Sequence, residues 1–175
     1  MSPSSDNNAA VLLVDPKFDY NVGDVLRTSA LLGVSHLWWT GSRVPSPEDW
    51  PDGERLPRQE RMRAYRRTKM HWAQDTSRVV DQASAEGLVP VCVEIVPGSV
   101  PLDAFLHPAR ALYVFGPEDG TVPPGIRREC HHFIQIPNAI PEDDPDSRTP
   151  FNLSQAVLSV LMHRLFQERE REAVK

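Results

Sequence analysis

Cysteine is scarce: Cys92 and Cys130 are the only two in 175 residues. Cys92 lies in an apolar run and reads as a small buried hydrophobe. Cys130 precedes His131-His132, which invites a metal reading. A zinc site needs about four well-spaced ligands, and no second pair is present, so no metal is expected. Long apolar runs are missing too. None approaches the roughly 20 residues that a membrane helix requires. The first residues, Met1 to Asn8, lack the basic region and apolar stretch of a signal peptide, so a cytoplasmic location is the expectation. Positive charge is in deficit. The net charge of −5 argues against a general nucleic-acid binder.

What is there is distributed unevenly. Hydrophobic residues make up 40% and charged residues 25%, the balance of a globular chain with a real core. The length suits one domain, expected over 9–170, with a disordered tail at 1–8. Basic residues cluster between Glu54 and Lys69: Arg55, Arg58, Arg61, Arg63, Arg66, Arg67 and Lys69, opposed only by Glu54 and Glu60. Acid gathers in Glu142-Asp143-Asp144 and Asp146. A protein can bind phosphates with one face while acidic overall. A solvated helix face explains the stripe equally well.

The hydrophobic pattern alternates between two periods. Val11-Leu12-Leu13-Val14 is continuous and apolar, as in a strand buried on both faces. From Asn21, the positions Val22, Val25, Leu26, Ala30 and Leu31 follow helical spacing, with Asn21 as cap and Gly33 as stop. Leu37-Trp38-Trp39 predicts a second strand. Pro45 to Pro57 predicts a loop. A basic helix is expected over about 59–71, and a further helix over 76–85, capped by Thr76 or Ser77 and stopped at Gly87. Val89 to Ile95, Leu112 to Phe115 and His132 to Ile136 predict three more strands, with a short helix over 124–129. Residues 138–150 form a long acidic loop of the kind that carries function. A last helix starts near Asn152 and becomes charged, and frays, after Gln167.

Strands alternating with helices imply an α/β fold with a mostly parallel sheet flanked by helices. Such sheets bind ligands at the carboxyl ends of their strands. Glu94, Gly116 and Pro137 all fall at such ends.

Three segments carry more specific information: Asn21-Val22-Gly23-Asp24-Val25-Leu26-Arg27-Thr28, Phe115-Gly116-Pro117-Glu118, and Ile136-Pro137 followed by Asn152-Leu153. In this order they resemble the SPOUT superfamily, in particular the SpoU/TrmH group of RNA 2′-O-ribose methyltransferases. Pro145-Asp146-Ser147-Arg148 looks most like the minimal, single-domain TrmL-type tRNA enzymes. The resemblance spans about 11–166. It implies a deep trefoil knot over about 111–166, S-adenosyl-L-methionine as cofactor, and a homodimer with the first and last helices at the interface. It implies tRNA as the RNA partner. Ribosomal RNA, or a non-catalytic RNA-binding role, stands as the alternative. The family usually has Ser directly before Asn-Leu, where this chain has Thr149-Pro150-Phe151.

The resemblance also assigns residues. Asn21, Arg27, Glu118 and Asn152 become the catalytic candidates. Glu94, Gly116, Ile136, Phe151 and Leu153 become the cofactor-binding candidates. A guanidinium is a poor base because its pKa is about 12.5 or more. Clamping a phosphate and stabilising a developing alkoxide is the more conservative role for Arg27. The basic stripe supplies the RNA-docking candidates Arg58, Arg61, Arg63, Arg66 and Arg67, with Tyr65 and Trp72 able to stack on bases or to pack in the core.

Overall fold

A computed structural model describes residues 8–46, 67–141 and 143–174. Seven strands form one sheet: β1 (Asn8–Leu13), β2 (Val34–Thr40), β3 (Lys69–Ala73), β4 (Val89–Val93), β5 (Val100–Pro101), β6 (Arg110–Phe115) and β7 (His132–Gln135). Their spatial order is β3-β2-β1-β6-β4-β7-β5, and every pair is parallel. Among the described residues four α-helices cover it: α1 (Asp19–Leu31), α2 (Thr76–Ala85), α3 (Pro124–Glu129) and α4 (Leu153–Ala173).

The continuous apolar strands have a direct cause, because successive side chains point to opposite faces and both faces are covered. On β1, Val11 and Leu13 join a core with α1 and α4, while Ala10 and Leu12 join a second core with α2 and α3. On β6, Tyr113 and Phe115 face the first core, and Leu112 and Val114 the second. Val11, Leu12 and Leu13 are wholly buried. Each such leucine contributes about 1.5–3 kcal/mol through burial.

Several expectations need correction. Asn21 does not cap α1. The helix begins earlier, after Phe18, and Asn21 is buried inside its first turns. Lys69, Met70 and His71 belong to strand β3 rather than to a basic helix. Pairing with β2, from His36↔Lys69 to Thr40↔Ala73, overrides their local preference. Residues 59–66 of the expected helix, with Arg61, Arg63, Tyr65 and Arg66, lie outside the described residues, as does Arg58. Helix α2 is capped by Asp75, whose Oδ1 accepts the Ser77 N–H at 3.0 Å, rather than by Thr76 or Ser77. Strand β1 starts at Asn8, inside the expected tail. The two-residue edge strand β5 was too short to leave a pattern.

Helix α4 does not fray at Gln167 but continues to Ala173. Tertiary bonds hold its charged end. Gln167 Nε2 donates to the Phe105 carbonyl at 2.6 Å, and the Arg171 guanidinium donates to the His107 carbonyl at 3.2 and 3.3 Å. Arg164, also buried, donates to the Pro108 and Ala109 carbonyls at 2.6 and 2.7 Å and pairs with Glu168 at 2.7 Å.

Candidate active site

The carboxyl ends of β4, β6 and β7 open into one cleft enclosing about 690 Å³, part of it open solvent. Val93, Glu94 and Ile95 form the wall after β4. Phe115, Gly116, Pro117, Glu118 and Gly120 form the wall after β6, and Gln135 and Ile136 the wall after β7. Thr149, Pro150 and Phe151 close the remaining side with Leu153 and Ala156 of α4. A neighbouring cleft shares Ile95, Gln135 and Ile136 and extends to Pro137, Asn138, Ser147 and Arg148.

Local chemistry holds these loops in place. Glu94 receives the Val122 N–H on its Oε2 at 2.9 Å, fastening the end of the Gly116–Val122 loop to β4. Gly116 is required by the same fold-back, since a Cβ there would come within 2.8 Å of the Val122 nitrogen. The constraint at Gly116 is thus backbone against backbone, with the cleft on its other side. In the loop after β7, Asn138 Nδ2 donates to the Ser147 carbonyl at 2.8 Å. A 3-10 turn at Pro145–Arg148 follows, capped by Asp144. These bonds order the acidic loop and present Thr149-Pro150-Phe151 to the cleft.

Six of the expected residues meet at this cleft: Glu94, Gly116, Glu118, Ile136, Phe151 and Leu153. Asn152 stands between the last two, exposed. Its Oδ1 accepts from the N–H and hydroxyl of Ser154, so its carbonyl serves as the cap of α4. Asn21 is not in the lining but is tied to it. Its Nδ2 donates to Glu118 Oε1 at 2.5 Å, and the Lys17 N–H donates to Oε2 at 2.7 Å. Glu118 therefore joins the loop after β6 to the start of α1. Arg27 is exposed on α1, outside the lining, and has no hydrogen-bond or ion-pair partner among the described residues. Arg67 is exposed just before β3. Trp72 is partly buried, packs against the core of α1 and α4, and donates from its indole to the Gly41 carbonyl at 3.2 Å.

The sequence reading missed the polar network beside this cleft. Arg43 reaches both Asp119, at 2.8 and 3.1 Å, and Asp15, at 3.0 Å, and Lys17 Nζ lies 3.4 Å from Asp119. The hydrogen bond from Arg43 holds the Asp119 carboxyl below its ordinary range, and Asp119 in turn raises the guanidinium. No spacing signal could have shown this, because the partners lie 28 and 76 residues apart. Among the described residues, no group of three or more His, Cys, Asp or Glu could hold a metal ion. Among them, too, no helix is long and apolar enough to cross a membrane.

An all-parallel sheet between two helical layers, with a cleft at three strand ends closed by the loop that leads into the last helix, defines an α/β domain with room for a ligand at its strand ends. The chain belongs to the SpoU rRNA Methylase family, whose model matches residues 8–162.

Solved structures agree on the fold. An AdoMet-bound rRNA methyltransferase from Sinorhizobium meliloti aligns with a TM-score of 0.74 at 20% identity, over 93% of this chain and 57% of its own. A TrmH/SpoU tRNA modifying enzyme from A. aeolicus gives 0.73 at 18% identity, over 95% and 78%. A protein solved for structural insights into 2-OH methylation of C/U34 on tRNA gives 0.72 at 20% identity, over 95% of this chain and 99% of its own. This chain thus spans less than two thirds of the S. meliloti protein but nearly the whole of the third. Among curated proteins no significant sequence match was found.

Proposed function

We propose that this chain is an S-adenosylmethionine-dependent RNA 2′-O-ribose methyltransferase acting on tRNA as a homodimer. The observation that carries the proposal is the convergence at one cleft of Glu94, Gly116, Glu118, Ile136, Phe151 and Leu153, drawn from segments far apart in the chain. The residues fit the cofactor. Ile95, Ile136, Phe151 and Leu153 offer apolar surface for an adenosine, and the carboxylates of Glu94 and Glu118 suit a sulfonium charge. When bound, that group supplies a methyl already electrophilic on its sulfur. Thr149-Pro150-Phe151, where the chain departs from the family pattern, lines the cleft, which supports cofactor binding over a non-catalytic role.

The protein's own tasks are alignment and proton handling. Asn21 and Glu118 fix the start of α1 against the cleft. Arg27, a turn and a half further along α1, carries a guanidinium with no partner among the described residues, suited to a phosphate and to a developing alkoxide. Its place outside the lining is accounted for by a dimer that brings α1 to the partner's cleft. Exposed apolar side chains on the paired helices, Tyr20 and Leu31 on α1 with Leu158 and Phe166 on α4, support that assembly. The knot expected over 111–166 belongs to the same proposal.

The tRNA target rests on the coextensive likeness to the protein tied to tRNA 2-OH methylation. Ribosomal RNA is the second reading, favoured by the likeness to the S. meliloti protein. Calorimetry with S-adenosylmethionine tests the cofactor; no heat of binding to the folded protein would leave only an RNA-binding role. Mapping ribose methylation in tRNA and rRNA from cells with and without the gene separates the two targets. Sedimentation of the protein tests the dimer.

A further inference from the structure

The Arg43 network occupies a place that neither the family motifs nor the cleft lining accounts for. Its guanidinium spans two loops at once. Nη1 holds both oxygens of Asp119 in the loop after β6. Nε holds Asp15 Oδ2 and Nη2 the Asp15 carbonyl, both in the loop after β1. Arg43 itself lies in the loop after β2. Three strand ends are therefore joined by one side chain.

Two local concessions accompany this contact. Asp15 takes a left-handed φ of 44°, alone among the described non-glycine residues. That region is disfavoured for a residue with a Cβ, least so for Asp and Asn. Gly41 takes φ 88°, and a Cβ there would overlap the Asp15 carboxylate. Asp15 Oδ1 also accepts the Ser42 and Arg43 N–H groups at 3.2 and 3.4 Å. The side chains of Arg43 and its acidic partners are 30–46% exposed. Exposed ion pairs of this kind add little stability, so stability alone does not explain the strained backbone of Asp15. Geometry does. Asp119 follows Glu118 directly, and both carboxylates reach the β1–α1 loop, Asp119 through Arg43 and Lys17, Glu118 through the Lys17 N–H and the Asn21 amide.

We infer that Arg43 is a positioning residue: by clamping the loops after β1 and β6 it holds Glu118 where it receives the Asn21 amide, and so fixes the start of α1, the helix that carries Arg27. The catalytic part of this inference rests on the function proposed above. Its geometric part does not.

The test uses the full chain and two readouts. In ¹⁵N-edited spectra, the bonded Asn21 side-chain amide of the wild type is expected away from the free-amide position and in slow exchange. Arg43→Gln is expected to move it toward the free position and to speed its exchange roughly tenfold or more, with the unfolding midpoint within a few degrees. With methyl-labelled S-adenosylmethionine and bulk tRNA, kcat is expected to fall about tenfold or more, while KM for the cofactor changes by less than about threefold. In a Glu118→Gln background the same change is expected to cost nothing further. Arg43→Lys is expected to keep the midpoint and still to lose kcat, because an ammonium lacks the fork that spans two acceptors.

An unmoved Asn21 amide, additive losses with Glu118→Gln, or full rescue by lysine would each overturn the inference. If the wild type methylates neither tRNA nor rRNA, the proposed function fails, and the Asn21 amide alone decides the role of Arg43. Should Arg43→Gln fail to fold, Asp119→Asn cuts the same clamp from its other end and is judged by the same readouts.

Discussion

Polar clusters stand at both ends of the sheet, and they differ in kind. At the carboxyl ends, Arg43, Asp15, Asp119, Lys17, Glu118 and Asn21 form a partly exposed lattice beside an open cleft. Toward the amino ends, Arg164, Tyr113, His107 and His163 form a closed chain. Arg164 Nη1 donates to the Tyr113 hydroxyl at 3.3 Å. That hydroxyl bonds His107 Nδ1 at 2.6 Å, and His107 Nε2 bonds His163 Nδ1 at 2.9 Å. Each donor finds one acceptor if His107 is neutral with its proton on Nε2. Burial, first, and then the neighbouring His163, Arg164 and Arg171 push His107 down to about 3, and burial pushes Tyr113 up to about 12.

These two strongly shifted groups therefore sit in a lock that fastens α4 to the segment before β6. Perturbed side chains are often used to find active sites. Here they mark burial, whereas the cleft is marked by converging loops. The closed end ought to govern stability with little effect on chemistry, and the open end ought to do the reverse.

That contrast can be broken by four measurements. Arg27→Ala is expected to remove methyl transfer by about a hundredfold or more, with cofactor affinity and unfolding midpoint nearly unchanged. Unaltered turnover would remove Arg27 from the mechanism. Arg164→Ala is expected to cost about 3–5 kcal/mol in urea unfolding, because it strands the Pro108 and Ala109 carbonyls and leaves the Glu168 carboxylate without its partner. Cofactor affinity of the folded fraction should hold, and a matching loss of affinity would show that the two ends are coupled.

Acid provides the third. The unfolded chain protonates His107 near the ordinary 6.5, while the folded chain keeps it neutral to about 3. The unfolded state then binds more protons, so stability falls as pH drops from about 6.5 toward 3, by up to about 1.4 kcal/mol per pH unit for this one group. His36 and His71, also lowered chiefly by burial, act in the same direction. A His107→Asn variant should flatten the slope, and an unchanged acid limb would clear His107. The smallest effect concerns RNA. Reversing Arg58, Arg63 and Arg67 is expected to weaken tRNA binding several-fold and to lower the salt slope by roughly one for each phosphate no longer neutralised. An unchanged affinity and slope would leave the stripe as a solvated surface.

Much of the fold was legible because its signals are local. The run from Val11 to Val14 announced a strand covered on both faces, and the spacing of Val22, Val25 and Leu26 announced α1. Thr76 to Ala85 was read to the residue. The failures share a cause. Asn21 looked like a cap because asparagine caps well, but its amide is spent on Glu118, 97 residues away. Lys69 to His71 looked helical until an edge strand claimed them. The end of α4 looked frayed because charge dominates it, yet Arg164, Gln167 and Arg171 use their polar groups on carbonyls between Phe105 and Ala109.

The site divides along the same line. Gly116, Glu118, Ile136 and Leu153 stood out through their motifs and do share a cleft, and Thr149 and Pro150, which the motifs did not mark, join them there. By itself the sequence determined the alternation of strand and helix and the parallel α/β class, since periodicity and turn chemistry act over a few residues, and its short motifs carried the resemblance to the family. Only the tertiary structure decided that β6 lies between β1 and β4, and it is this strand order that brings Glu118 to Asn21 and Asp119 to Arg43. Contacts between residues dozens of positions apart depend on how the strands are arranged, and no local pattern encodes that arrangement.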